Sequence, residues 1–195
     1  MKLQLLSDLH LESHPHFAPT PAPGADLLVL AGDIGSYQQG SMLSEADFGL
    51  QRFSPLHGWP TPVLFVPGNH EYDGLDFDEA HRRLEATCAQ LDICFLEQSS
   101  ITAQELLGAK LSREALGHNI RFIGTTLWTD FDALNPKQDP ALRHKAYRAA
   151  NYHLRKTATT RGGEPFLAEL MRVQALSSQA WLRQALAEPF EGTTV

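Results

Sequence analysis

Short apolar runs alternate with polar stretches along the first part of the chain. The runs occupy residues 3–6, 26–31 and 62–66. Each has the length of a strand buried in a sheet and is too short for a helix. Residues 76–91 then carry apolar side chains at helical spacing: Phe77, Ala80, Leu84 and Cys88. Strands that alternate with a helix predict an α/β fold with a largely parallel sheet.

The later residues continue this alternation. Further strands are predicted at residues 93–96, 100–102, 120–124 and 193–195, with a helical or hairpin excursion at 104–118. Helices are predicted at residues 41–56, 139–157 and 165–187, the last of which starts at Pro165. Its predicted buried face consists of Phe166, Leu170, Val173, Leu176, Ala180 and Trp181.

The size and composition predict one globular domain over residues 1–195, in which residues 135–187 form a helical segment resembling a lid or cap. A net charge of -7 disfavours a non-specific interaction with long nucleic acid. The two cysteines, Cys88 and Cys94, are too few for a disulfide framework. No run reaches the roughly 20 apolar residues of a membrane helix. We therefore expect no membrane association and a cytoplasmic location.

Metal-competent side chains follow each of the first three apolar runs. Asp8 and His10 come after the first run, Asp33 after the second, and Asn69 and His70 after the third. Each motif alone is more simply a polar turn or a surface residue. However, the carboxyl ends of parallel strands meet at one edge of a sheet, where ligands collect. The three motifs together therefore predict a metal site.

These motifs carry a family resemblance. Asp8-Leu9-His10, Gly32-Asp33 and Gly68-Asn69-His70-Glu71 resemble, in order, the first three motifs of the calcineurin-like metallophosphoesterases. Residues 122–128 are similar to a strand of one bacterial branch of that family. The resemblance implies a four-layer α/β/β/α sandwich, in which two stacked sheets are flanked by helices.

The resemblance also implies roles for individual residues. Asp8 and His10 would bind the first of two divalent metal ions (Mn, Fe, Zn or similar), Asp33 would bridge both ions, and Asn69 would bind the second. His70 would be the catalytic residue near the leaving group, whereas Glu71 receives no direct role. A hydroxide between the ions would then attack the phosphorus of a phosphate monoester or diester.

The chain departs from the family pattern in its later histidines. Relatives complete the metal site with a His-His run and a Gly-His-x-His run, and neither occurs here; the nearest candidate, His118, precedes Asn119 and Ile120. The other histidines are expected to lie at the surface. We therefore expect the N-terminal portion of the family fold, incomplete at the C-terminus, with weakened metal binding and an exposed sheet edge that permits oligomerisation.

The sequence is compatible with more than one function. Within the family, the substrate could be a small phosphate ester, a cyclic nucleotide or a nucleic acid, and the acidic composition argues mildly against the last. Outside catalysis, the chain could be a partner-binding remnant of the phosphoesterase scaffold. The basic residues between Arg143 and Lys156 could contact substrate phosphates, although a solvated helix face is the simpler interpretation.

Overall fold

Four parallel strands form the first sheet, in the order β1-β2-β3-β4. The computed structural model describes residues 1–108, 119–133 and 140–195. The strands of this sheet are β1 (Leu3–Leu6), β2 (Leu27–Ala31), β3 (Val63–Val66) and β4 (Cys94–Phe95). Because all four run in one direction, their carboxyl ends share one edge of the sheet.

The remaining strands form a second sheet and a hairpin. They are β5 (Ser99–Thr102), β6 (Ile120–Gly124), β7 (Thr160–Arg161), β8 (Glu164–Pro165) and β9 (Thr193–Thr194). In the second sheet, β6 pairs antiparallel with β5 and parallel with β9. The strands β7 and β8 pair antiparallel with each other, and Thr160 of β7 also forms a parallel bridge to Asp76. The predicted strands at 93–96, 100–102, 120–124 and 193–195 are thus confirmed within one or two residues.

The helices of the described residues are α1 (Phe77–Gln90), α2 (Ala103–Leu107), α3 (Pro140–Thr157) and α4 (Ala168–Ala187). The carboxylate of Asp76 starts α1, because it accepts hydrogen bonds from the otherwise unpaired N–H groups of Asp78 and Glu79. The predicted apolar face of α1 is buried. Two short 3-10 turns, Leu50–Phe53 and Pro55–His57, precede β3.

Both faces of the first sheet are covered at β2 and β3, which explains why these two strands are apolar. Leu28 and Leu30 of β2 face the larger core, which includes α1. Leu27 points to the opposite face of β2 and contributes to a smaller core with Leu64 of β3 and Phe122 of β6. The first sheet thus packs against helices on one side and the second sheet on the other, in agreement with the predicted α/β sandwich.

The strand β1 differs from the prediction of a buried strand. It lies at the edge of the first sheet, with β2 as its neighbour. Its side chains alternate in exposure, and Leu3 and Leu5 are 41% and 65% exposed. Their registry with Leu27 and Val29 places them on the face of the sheet that carries the smaller core.

Two predictions about helices were wrong. Residues 41–49 are not helical, because Phe48 and Gly49 adopt left-handed conformations (φ 57° and 75°) that a right-handed helix does not allow. The helix predicted to begin at Pro165 begins at Ala168, whose N–H group donates to the Asn151 side chain.

The buried face of α4 also differs from the predicted one. Val173, Leu176 and Ala180 are exposed. The helix instead packs through another row of side chains: Ala168, Met171, Ala175, Ser178 and Ala185. Small residues dominate this row and let the helix backbone approach its neighbours closely, so hydrophobicity alone assigned the wrong face.

The predicted lid or cap segment contains α3, the β7–β8 hairpin and α4. Phe166 and Met171 from this segment belong to the larger core, so it packs on the domain. Its residues 135–139 lie outside the described part of the chain, as do residues 109–118 of the predicted excursion, including His118. Among the described helices, none is sufficiently long and apolar to span a membrane.

Candidate metal centre

The loops that follow β1, β2 and β3 converge at the carboxyl edge of the first sheet. The N–H groups of Asp8 and His10 donate to the carbonyl oxygens of Gly32 and Asp33, at 3.0 and 3.1 Å. The N–H group of His70 donates to Oδ1 of Asp33 at 3.0 Å. Asp33 therefore connects the first and third motifs directly.

Two glycines allow the second and third loops to touch. Gly32 has a φ of 81°, and a Cβ atom there would lie 2.7 Å from the Cα atom of Gly68. A Cβ atom on Gly68 would collide with the carboxylate of Asp33. The glycine of each motif is thus required by the close approach of the two backbones.

Three of the candidate ligands have left-handed backbones. Asp8, His10 and Asp33 have φ angles of 52°, 47° and 54°. Residues other than glycine adopt this conformation at an energetic cost, and such residues concentrate at functional sites. The same sharp bend therefore occurs at the ends of β1 and β2, where both loops turn toward the site.

The side chains of His10, Asp33 and His70 form a group suited to a cation. One potential ligand atom from each residue lies within 4.8 Å of the others, and all three residues are half-buried. Imidazole nitrogen and carboxylate oxygen together suit divalent transition metals. This cluster can therefore hold a divalent cation; it contains the predicted ligands His10 and Asp33, together with His70, for which the sequence predicted a catalytic role.

The other candidate ligands lie outside this three-residue group. Asp8 and Asn69 are both exposed. Their backbones belong to the same converging loops, and Asn69 also borders a neighbouring cavity. Their assignment as metal ligands stays a prediction.

A buried carboxylate holds each histidine of the group. Nδ1 of His10 lies 2.9 Å from Oε1 of Glu12, and Nδ1 of His70 lies 2.7 Å from Oδ2 of Asp73. Both acids are 2% exposed. Because Nδ1 of each ring is engaged, Nε2 remains available for a metal or a substrate.

Glu12 and Asp73 were not among the site residues predicted from the sequence. Each acid follows its histidine by two or three residues, which places an acidic side chain within reach of the ring. That repeated spacing was the available signal, but only the fold shows that the two acids are buried.

These contacts change the protonation of His70. The hydrogen bond to Asp73 raises the pKa of His70 to about 9, although burial opposes this rise. The nearby negative charge of Asp33 also favours the protonated ring. At neutral pH and without a bound metal, the imidazole ring of His70 is therefore in its protonated, positively charged form.

The motif residue Glu71 is fully buried behind the cluster. Burial raises its pKa to about 7, and the charge of Asp33 adds to this rise. Hydrogen bonds from the N–H groups of Ile34, Gly68 and Asp33 lower it and so favour the ionised form.

A cavity of about 630 Å³ opens beside the third motif. It extends between the ends of β3 and β6, and the described residues that line it carry no charged side chain. They include Gly68, Asn69, Ile123, Leu127, Trp128 and Met171. The space beside the loops that carry the candidate ligands is therefore uncharged among the described residues.

The histidines expected at the surface are mostly found there. His14, His16, His57, His144 and His153 are exposed, whereas His81 is half-buried. Within the described parts of the chain, none of these six joins a metal-binding group.

A family model described as calcineurin-like phosphoesterase matches residues 1–155. The chain belongs to the calcineurin-like phosphoesterase family. No curated protein matches the sequence. The part of this phosphoesterase that the family model matches contains all three motifs. The match confirms the family resemblance and the predicted fold class. It also supports a phosphoesterase-type hydrolase in general, with a His and Asp cluster that can hold a divalent metal.

Proposed function

We propose that this phosphoesterase hydrolyses small phosphate esters with the help of two divalent cations. The observation that chiefly supports this proposal is the convergence of His10, Asp33 and His70 at the carboxyl edge of a parallel sheet. Bound cations would supply Lewis-acid polarisation of the phosphoryl group and a water of lowered pKa.

The chain's own residues would hold these cations. Asp8 and His10 would bind the first, Asn69 the second, and Asp33 both. Asn69 is neutral, so it would add a ligand without adding negative charge. An anionic substrate would therefore be repelled less than by a site composed only of carboxylates.

His70 would act as the general acid. A ring with a pKa of about 9 is protonated at neutral pH and can give its Nε2 proton to the departing ester oxygen. Asp73 would keep the ring oriented and stabilise the proton on Nδ1. After the protonated alcohol leaves, solvent would return the proton to Nε2.

The neighbouring cavity supports a substrate with an uncharged organic group. It borders Asn69 and contains no charged side chain among the described residues. Its size suits a small ester, whereas the net charge of -7 disfavours long nucleic acid.

The proposal is tested with metal-stripped protein and a substrate panel. We expect turnover of an aryl phosphate monoester or diester after addition of Mn²⁺ or Zn²⁺, and its loss in Asp33→Asn. Asp47→Asn is a matched control, because Asp47 accepts backbone hydrogen bonds in a turn preceding β3. Full metal binding without turnover of any monoester, diester or cyclic nucleotide would support the non-catalytic alternative.

A further inference from the structure

Glu71 joins two of the site loops through backbone hydrogen bonds. Its carboxylate accepts from the N–H groups of Ile34 at 2.6 Å, Gly68 at 2.7 Å, Asp33 at 3.1 Å and Gly35 at 3.4 Å. The side chain is completely buried, and no salt bridge to it occurs within the described residues.

The four N–H donors come from two separate loops of the site. Three of them are consecutive and follow β2, whereas Gly68 follows β3. Successive N–H groups that point to one anion form a concave backbone arrangement of the kind that binds phosphates. Here a carboxylate of the chain itself occupies that arrangement.

This network determines where the candidate ligands point. Asp33 donates its backbone N–H to Glu71, while its side chain accepts from the N–H of His70. Asp33 is consequently held through both its backbone and its side chain. Gly68, the other principal donor, immediately precedes Asn69.

Burial of a carboxylate without a cation is strongly unfavourable unless hydrogen bonds replace its hydration. The four N–H groups supply this replacement, and they require an acceptor at both carboxylate oxygens. A glutamine has the same shape but offers only one acceptor oxygen. It would leave one group of N–H donors facing an amide NH2.

We propose that Glu71 is a positioning residue that sets the metal-binding geometry by fixing the loops after β2 and β3 relative to each other. This inference rests on the proposed function, since it requires a metal at these loops. It assigns a role to Glu71, to which the family resemblance gave no direct role.

The first test is Glu71→Gln in the full chain. We expect its affinity for Zn²⁺, measured by calorimetry, to fall about tenfold or more, which corresponds to about 1.4 kcal/mol. Backbone hydrogen exchange at Ile34 and Gly68 should also become faster. Asp76→Asn is the control, because Asp76 also accepts several backbone N–H groups but lies at the start of α1. Its Zn²⁺ affinity should stay unchanged.

A second measurement does not depend on whether the variant folds. In the unsubstituted protein, saturating Zn²⁺ should slow hydrogen exchange at Ile34 and Gly68, because coupling between two sites is reciprocal. Unchanged exchange at both amides, or a folded Glu71→Gln variant with unchanged affinity, overturns the inference. Unsubstituted protein that binds no Zn²⁺ overturns the proposed function itself, and with it this inference.

Discussion

Nδ1 of His70 donates a hydrogen bond to Oδ2 of the Asp73 carboxylate, and these two atoms are 2.7 Å apart. The acid is 2% exposed and also has a pKa raised by burial. A buried carboxylate without this ring would lose its main polar partner. The pair therefore links the protonation of the proposed general acid to the packing of the loop behind it.

Asp73→Asn should lower the pKa of His70 toward the ordinary value of about 6.5, because the charge that stabilises the protonated ring is removed. NMR titration of the ring protons in metal-free protein measures this shift. Asp78→Asn removes an exposed carboxylate paired with Arg161 and should leave the His70 titration unchanged. An unaltered titration in Asp73→Asn would contradict the role of Asp73.

Substitution of the two clustered histidines should separate catalysis from metal binding. His70→Ala should reduce kcat by about 10²- to 10⁴-fold, as expected for loss of general acid catalysis, while metal affinity changes little. His10→Ala should instead weaken metal binding. Calorimetry and steady-state kinetics with an aryl phosphate measure both effects, and His57→Ala, at an exposed position, is the control. Loss of metal binding in His70→Ala would show that His70 is a ligand.

The metal-free protein should lose stability as the pH rises from neutral to alkaline values. The pKa of His70 is raised from 6.5 to about 9 in the folded state. Its contribution is therefore fully present below about 6.5 and is lost as the pH increases through about 9. Chemical denaturation in the presence of a chelator at several pH values measures this change. In His70→Ala the decrease over this interval should be smaller; an equal decrease would exclude His70 as its source.

The exposed β1 edge of the first sheet should promote self-association. Leu5→Lys places a charge on β1 and should reduce oligomer formation, because charged edge strands resist pairing with other strands. Leu56→Lys is a matched control, since both leucines are 65% exposed but Leu56 lies in a 3-10 turn. Sedimentation velocity measures the association. Equal behaviour of the two variants would argue against the β1 edge.

Local patterns predicted the elements whose signals are contained in a few neighbouring residues. The apolar run of β2 and the helical periodicity of α1 are both confirmed. A strand buried on both faces is apolar along its length, and a helix buried on one face is apolar at helical spacing, so both patterns can be seen in the sequence. The helix predicted at residues 41–56 failed because two successive left-handed residues, Phe48 and Gly49, interrupt it. Hydrophobicity does not report backbone handedness.

The sequence by itself determined the family, the order of the strands along the chain, and the motifs that contain His10, Asp33 and His70. Each of these depends on residue types at short spacing. Only the tertiary structure decided that the three side chains meet and that β1 lies at an edge. It also decided that Glu12, Asp73 and Glu71 are buried beneath the site. These relationships depend on chain segments that are far apart in sequence. A carboxylate is buried only when such segments pack over it, and its neighbours in the sequence do not show this.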